Sequence, residues 1–468
     1  MIEIDATMLL MVTTLIVVLI TYRVRFAPSG NTKMVVVLGD FGRSPRMQYH
    51  TKSLVSNGFE VDVVALKGSN PIASLRNNNK VRMHLLRAIP KMKAGMPRVC
   101  FLLYAPIKVL IQVLQLMFTM IILTPRPSTI ICQNPPSIPT LPIVWFVSRL
   151  RASRFIIDWH NYGYSILALT LSKSHWLVRF ARNIEKTFGR LGDRHLCVTN
   201  AMRQDLNKNW NIVPLSSIIT FHDRPDHMYR PTPPKKRHDL FLRLSEHSDT
   251  KQGFEFFSSS MMKQKETIFT YANGKSKPNR PALLVSSTSW TKDEDFGILL
   301  DALRKYDERA SCNTNNDDLP PILCIITGKG PQRAYYENQM KKNPMRNAIV
   351  CTVWLSFEDY PLLLGSADLG ISLHMSSSAL DLPMKVVDMF GAGLPVCAAN
   401  FTCISELVKD KINGYTFNNS NELASQLIRL LSRCGEGSTE LSRFRENLKS
   451  FREDGWAPRW NRIVKPLF

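Results

Sequence analysis

Short apolar runs alternate with stretches of helical period along most of this chain. "KMVVVLGD" is an apolar run closing on Gly-Asp; a helical pattern from Met47 to Asn57 follows, then a second run, "FEVDVVAL". Strand, helix, strand is the reading this order predicts. Further strand signals come at "TIICQN" and "RFIIDWH", and "HLCVTNAMRQDL" runs from a strand into a capped helix. The pattern restarts late in the chain with "ALLVSSTSW", the helix "GILLDALRKY", then "ILCIITGKGP", "NAIVCTVW", "ADLGISLH" and "PVCAA". Strands with apolar centres separated by helices predict a parallel sheet covered on both faces, and there are two such sets. The expected class is α/β, two Rossmann-like domains facing across a cleft, with ligands at the carboxyl ends of the strands.

The same pass divides the chain. Residues 1–30 read as a membrane anchor, because Ala6 to Tyr22 runs for about 17 residues without a charge, the lower limit for a spanning helix. Glu3 and Asp5 precede that run and Arg23 and Arg25 follow it, which argues against a cleaved signal and puts the body in the cytosol. Residues 31–225 form the first domain. Within it, Phe101 to Leu123 carries only Lys108 as a charge and reads as a membrane-associating helix at 101–123, with an ordinary buried helix as the alternative. Residues 226–280, rich in Pro, Lys and Ser with weak periodicity, read as linker and insertion. The second domain covers 281–440, and 441–468 is a helical tail without an evident partner.

Composition narrows the class. Hydrophobic residues at 44% and charged residues at 21% of 468 exclude global disorder. A net charge of +22 points to anionic partners: nucleic acid, a membrane surface or a phosphorylated substrate. No helix-turn-helix, zinc-finger or aromatic RNP pattern supports nucleic acid, which is set aside. Nine cysteines without a Cys-x-x-Cys pair read as reduced thiols in a reducing compartment.

Candidate chemistry clusters at strand ends. "GDFGRSPR" brings Asp40, Gly42 and Arg43 but lacks Gly-x-Gly-x-x-Gly, which argues against NAD or FAD. "IIDWHNYGYS" offers Asp158, Trp159, His160, Asn161 and Tyr162; the neighbours can orient the histidine or stack on a sugar. In "ITGKGP", Gly328 and Gly330 permit close backbone approach and Lys329 can meet a phosphate, although the spacing is not that of a P-loop. "LDLPMKVVDMFGAGLPV" places Asp381, Pro383 and Lys385 at a helix start, where free N–H groups attract anions, and Asp388 about two turns beyond Asp381, where its carboxylate can accept from ribose hydroxyls. "DED" at 293–295 reads as an acidic helix start, and no metal site is expected.

Taken together, "GDFGRSPRMQYH", "IDWHNYGYSILAL", "RPALLVSSTSWTKDEDFGILLDAL", "FEDYPLLLGSADLGISLHMSSSALDLPMKVVDMFGAGLPVCA" and "ELVKDKINGYTF" resemble the chitobiosyldiphosphodolichol β-mannosyltransferases, glycosyltransferases of GT-B architecture. The resemblance implies an inverting β-1,4-mannosyltransferase of the endoplasmic reticulum membrane. Its partners would be GDP-mannose, dolichol-diphosphate-linked chitobiose, membrane lipid and other transferases of the same pathway. For that reaction His160, with Asp40 and Asp158 behind it, is the expected base. Gly328, Lys329, Gly330, Lys385, Asp381, Asp388 and Ser289 are expected around the donor, and Gly42, Arg43, Trp159 and Asn161 around the acceptor. No cofactor is required, and a Mg2+ stimulus is compatible with the chemistry. Two features depart from related GT-B enzymes: Leu380 and Asp388 stand where retaining members carry Glu-x7-Glu, and "SSTSWTKDED" stands where a diphosphate-binding Arg and Lys are common. The rival readings are a membrane-bound GT-B transferase with another sugar or lipid, and a non-catalytic scaffold.

Overall fold

A computed structural model describes residues 31–89, 98–258, 265–291, 294–312, 318–432 and 437–468, with Thr13, Thr14, Val17 and Thr21. The anchor expected over 1–30 otherwise lies outside the described residues, as do residues 90–97. The chain divides into two compact units, the first made of residues 1–222 with 459–468 and the second of 223–458.

The first unit is built on seven parallel strands: β1 (Thr32–Asp40), β2 (Glu60–Leu66), β3 (Val81–Leu86), β4 (Thr129–Asn134), β5 (Arg154–Trp159), β6 (Arg194–Cys197) and β7 (Ile218–Thr220), in the order β3-β2-β1-β4-β5-β6-β7. Val35, Val36, Ile130, Ile131, Ile156 and Ile157 are wholly buried whichever face they take, the mark of a sheet with helices on both sides. Helix α1 (Pro45–Ser56) follows β1, with proline in its first turn, where a missing N–H costs nothing. The edge strand β3 escapes a pattern reading because "VRMHLL" is half-exposed and mixed in polarity, and β7 is only three residues long.

Helix α2 (Arg98–Phe118) runs on into one π-helical turn, Thr119–Leu123. Its 18 residues Pro106–Leu123 are apolar enough to cross a membrane, yet only 17% of them are buried. Ile107, Leu110, Ile111, Leu114 and Phe118 face outward. That exposure rules out the buried-helix alternative, since apolar surface of this extent calls for a covering partner. Two further helices on this unit, α3 (Gly163–Thr170) and α4 (Trp176–Gly189), follow β5.

The second unit has six parallel strands: β8 (Ala282–Ser287), β9 (Ile322–Thr327), β10 (Ala348–Val353), β11 (Leu369–Ser372), β12 (Val396–Ala399) and β13 (Gly414–Phe417), ordered β10-β9-β8-β11-β12-β13. Alternate residues feed two cores: Leu283, Val285, Leu323 and Ile325 enter one layer, and Ala282, Leu284, Ile322, Cys324 and Ile326 the other. Each large apolar side chain so buried stabilises by about 1.5–3 kcal/mol. Helices α5 (Phe296–Ser311) and α6 (Met384–Gly391) lead from strand ends on this unit.

Two segments differ from expectation. Residues 226–280, read as linker and insertion, carry the helices Pro234–Glu246 and Lys251–Phe256, and Leu240, Phe241, Leu244 and Phe254 sit in the second unit's core. Their apolar positions are diluted by "PKKRHD", which hides the period. The tail 441–468 is divided: residues through Pro458 belong to the second unit, and the last helix, α7 (Trp456–Ile463), carries the chain into the first. The seven cysteines with described side chains are free thiols.

Candidate active site

On the first unit, the strand ends of β1, β4 and β5 converge on one charged group. Arg46, 3% exposed on α1, forks onto Asp158 at the end of β5, with Nε to Oδ2 at 2.9 Å and Nη2 to Oδ1 at 2.9 Å, and donates from Nη1 to the Phe221 carbonyl at 2.8 Å. His160, half-buried, donates from Nε2 to Asp158 Oδ2 at 2.8 Å. His50, wholly buried one turn beyond Arg46, faces the same oxygen at 3.3 Å. Burial by itself would favour a neutral Asp158; the Arg46 charge, the hydrogen bond from His160 and the close approach of His50 outweigh it and hold the carboxyl well below the ordinary range. An ionised carboxylate only accepts, so His160 keeps its proton on Nε2 and offers Nδ1.

The loop that carries His160 is pinned from below. Its N–H donates to the Asn134 carbonyl at 2.8 Å, and Asn134 Nδ2 reaches the Asn161 carbonyl at 3.2 Å. Glu185 of α4, fully buried, accepts from Asn134 Nδ2 (2.7 Å) and from the N–H groups of Gly163 (2.8 Å) and Tyr164 (3.0 Å) at the start of α3. Burial raises its carboxyl above the usual value against those three bonds. Asn161 Oδ1 accepts from the Tyr162 N–H at 2.7 Å, which closes the turn.

On the second unit the loops after β8, β9 and β11 meet the start of α6. Gly328, at φ +145°, and Gly330 lie against the carbonyls of Thr288 and Ser289, and a Cβ on either would collide with backbone. Glu294, 3% exposed, ties this corner together: it accepts from Thr288 Oγ1 and the Ser289 N–H, both at 2.6 Å, and pairs with Lys385 in the first turn of α6. Lys329 is exposed, its ammonium 4.6 Å from the Trp354 ring centre. Pro383 sits at the N-cap of α6, at the helix start as expected. Asp381 pairs with Ser376 and stands 3.6 Å from His374. Asp388 is half-buried on α6; burial first, then Asp223 and Asp226, push its carboxyl well above the carboxylate range despite a hydrogen bond from Tyr229.

Comparison with known proteins now decides the family. Residues 281–433 match a family described as glycosyl transferases group 1, and 42–222 match a glycosyl transferase 4-like domain. The mouse and human chitobiosyldiphosphodolichol β-mannosyltransferases are each 45% identical to this chain over 93% of it, covering 88% and 92% of their own lengths. The chain belongs to the chitobiosyldiphosphodolichol β-mannosyltransferases. The Arabidopsis UDP-glycosyltransferase TURAN is also similar, at 42% identity over 92% of this chain and 96% of its own. Among solved structures, Thermosynechococcus elongatus sucrose-phosphate synthase aligns with TM-score 0.63 at 12% identity, and Anabaena HepE with UDP-glucose at 0.60 and 15%; each alignment covers 93% of this chain and 99% of the other. At those identities they show the GT-B fold alone.

The β-mannosyltransferase places the expected residues unevenly. His160, Arg43, Lys329 and Ser289 present side chains to solvent, wholly or in part. Trp159 does not: it is fully buried against Trp210 and Tyr162 with its indole N–H on His195 Nδ1 at 3.2 Å, so its side chain is core and not an acceptor contact. Asp158 is likewise sealed, with His160 bonded to its carboxylate, so it cannot itself reach an acceptor hydroxyl as a direct base. Asp40 accepts from the N–H groups of Gly42 and Ser69 and from the Ser69 hydroxyl; burial opposes its ionised form, but these bonds and nearby Arg43 lower its pKa, which makes it a weak base. Gly42 is needed because the Ser69 and Asn70 carbonyls leave no room for a Cβ. Asp295 of the "DED" run caps α5 by accepting the Gly297 N–H, in keeping with an acidic helix start.

Sequence reasoning missed Arg46, His50, Glu185 and Glu294. Arg46 and His50 carried a signal, an arginine and a histidine at i and i+4 on one face of a predicted helix. Glu185 and Glu294 carried none, since their partners lie far away in the chain or in another loop.

Proposed function

We propose that this β-mannosyltransferase moves mannose from GDP-mannose to O4 of the second N-acetylglucosamine of dolichol-diphosphate chitobiose, inverting the anomeric carbon in one in-line displacement. The observation that carries the reading is His160, solvent-accessible at the end of β5 with Nε2 held by an ionised, sealed Asp158. The acceptor O4 attacks C1 of mannose and its proton passes to His160. The C1–O bond to the diphosphate breaks with its electron pair, and GDP departs. Lys329, Lys385 and the free N–H groups at the start of α6 meet the leaving charge. The reaction as written needs no metal; a Mg2+ effect would act as a stimulus.

The membrane reading extends the same proposal. The outward face of α2 lies in the bilayer interface, residues 1–30 anchor the chain in the endoplasmic reticulum membrane, and both units stand in the cytosol. The assay is purified protein with labelled sugar nucleotide and phytanyl diphosphate chitobiose, the product tested for β-mannosidase sensitivity. Because one relative is named for a UDP donor, UDP-sugars run in parallel. A preference for any of them over GDP-mannose overturns the donor assignment.

A further inference from the structure

The Asp158 group is contacted from an unexpected direction. Trp460 of α7, fully buried, donates its indole N–H to His50 Nδ1 at 2.9 Å. Indole nitrogen is a donor only, so Nδ1 of His50 must be the bare nitrogen and Nε2 the one that carries hydrogen. That Nε2 points at Asp158 Oδ2, the oxygen that also receives His160. Burial favours the neutral form of His50, its pKa lowered despite Asp158 nearby. The residues after α7 are fastened too: Lys33 Nζ reaches the Phe468 carbonyl at 3.1 Å, Arg154 reaches that of Leu467 at 2.6 Å, and Trp460 stacks on Phe468.

We infer that Trp460 and His50 are positioning residues for the transfer: Trp460 fixes the His50 tautomer, His50 and Arg46 fix the Asp158 carboxylate, and Asp158 presents His160 with Nδ1 toward the acceptor hydroxyl. Without the indole N–H, His50 can flip its proton to Nδ1 and set a lone pair against Asp158. The carboxylate then loses one of its three anchors, and the imidazole of His160 loses its fixed orientation. This inference rests on His160 being the base.

The test is kinetic and uses the full chain. Trp460→Phe keeps the aromatic packing and removes the N–H; His50→Leu removes both nitrogens; His50→Gln keeps an acceptor for the indole and a donor for Asp158. Trp460→Phe and His50→Leu are expected to lower kcat about tenfold with both KM values within about twofold, and His50→Gln to recover most of that loss. On a His160→Ala background neither change should lower the residual rate further. A merely structural role gives the opposite pattern, with thermal stability falling, kcat per folded molecule unchanged and the same effect in both backgrounds. Should Trp460→Phe not fold, His50→Gln against His50→Leu decides, and equal kcat overturns the inference. If His160→Ala itself turns over near normally, the proposed base is wrong; if it is inactive while Trp460→Phe and His50→Leu match the wild type, only the positioning role fails.

Discussion

Replacing Glu294 by Gln isolates one question, whether a buried carboxylate serves Lys385, the lysine proposed to meet the diphosphate, or competes for it. The amide is isosteric and retains one oxygen for Thr288 Oγ1 and the Ser289 N–H. Its NH2 then faces the Lys385 ammonium, donor against donor. A hydrogen bond to a charged group contributes about 1.5–3 kcal/mol. Lys385 is 26% exposed in its side chain and can turn to water, so the lower half of that range, about 2 kcal/mol, is the expected loss in stability of the second unit. If Glu294 aims Lys385 at the donor, the KM for GDP-mannose should rise about tenfold, the equivalent of 1.4 kcal/mol, with little change in kcat. Lys385→Met should give a similar rise, and the double variant no more than either alone. The measurements are steady-state kinetics at saturating acceptor and denaturant unfolding of each variant. A fall in donor KM for Glu294→Gln would refute the reasoning, because it would show that the carboxylate holds the lysine away from its ligand.

Other outcomes follow from the same geometry. Asp158→Asn should cut kcat at least about 10²-fold, since an amide can offer NH2 to His160 and reverse its tautomer; unchanged kcat would exclude the Asp158–His160 couple. Burial lowers His195 from 6.5 to about 4. Its folded form prefers to stay neutral, so the stability it contributes is full above pH 6.5 and is lost as pH falls toward 4, about 3 kcal/mol in all. Urea unfolding from pH 7 to 4.5 checks this, and a His195→Gln variant should flatten the slope. Leu110→Glu with Leu114→Glu on the outward face of α2 should depress transfer to a dolichyl acceptor in vesicles more than to a short-chain soluble one; equal loss on both would remove the interfacial role of α2. Asn400 and Asn418 are exposed in sequon contexts, yet expression in a eukaryotic host should leave the mobility of the protein unchanged by a glycan-cleaving amidase if both units are cytosolic.

Much of the fold was legible because each central strand is a short apolar run bounded by glycine or a polar loop, as at "TIICQN", which became β4 to the residue. The illegible strands were at edges, where one side of β3 meets water and β7 is too short for any period. At the site, His160 was legible because a polar cluster directly after an apolar run marks a strand end. Trp159 was misjudged because parity gives no guidance in a sheet covered on both faces, where neighbours on a strand are buried alike. Glu294 shows the opposite failure: in sequence it is one acid among three, and only the fold of the loop turns it inward while Asp295 caps a helix.

The first unit closes only with residues 459–468, more than two hundred positions after the rest of it has been made. A ribosome therefore releases a first domain from which the buried Trp460 and its ring neighbour Phe468 are still missing, and the His50 pocket stays open until those residues have been made. A fragment ending at residue 222 should be soluble only poorly, and a synthetic decapeptide bearing Trp460 should restore it. For the same reason a bulky fusion placed after Phe468 burdens the first unit, while an insertion in an exposed loop of the second unit would spare it.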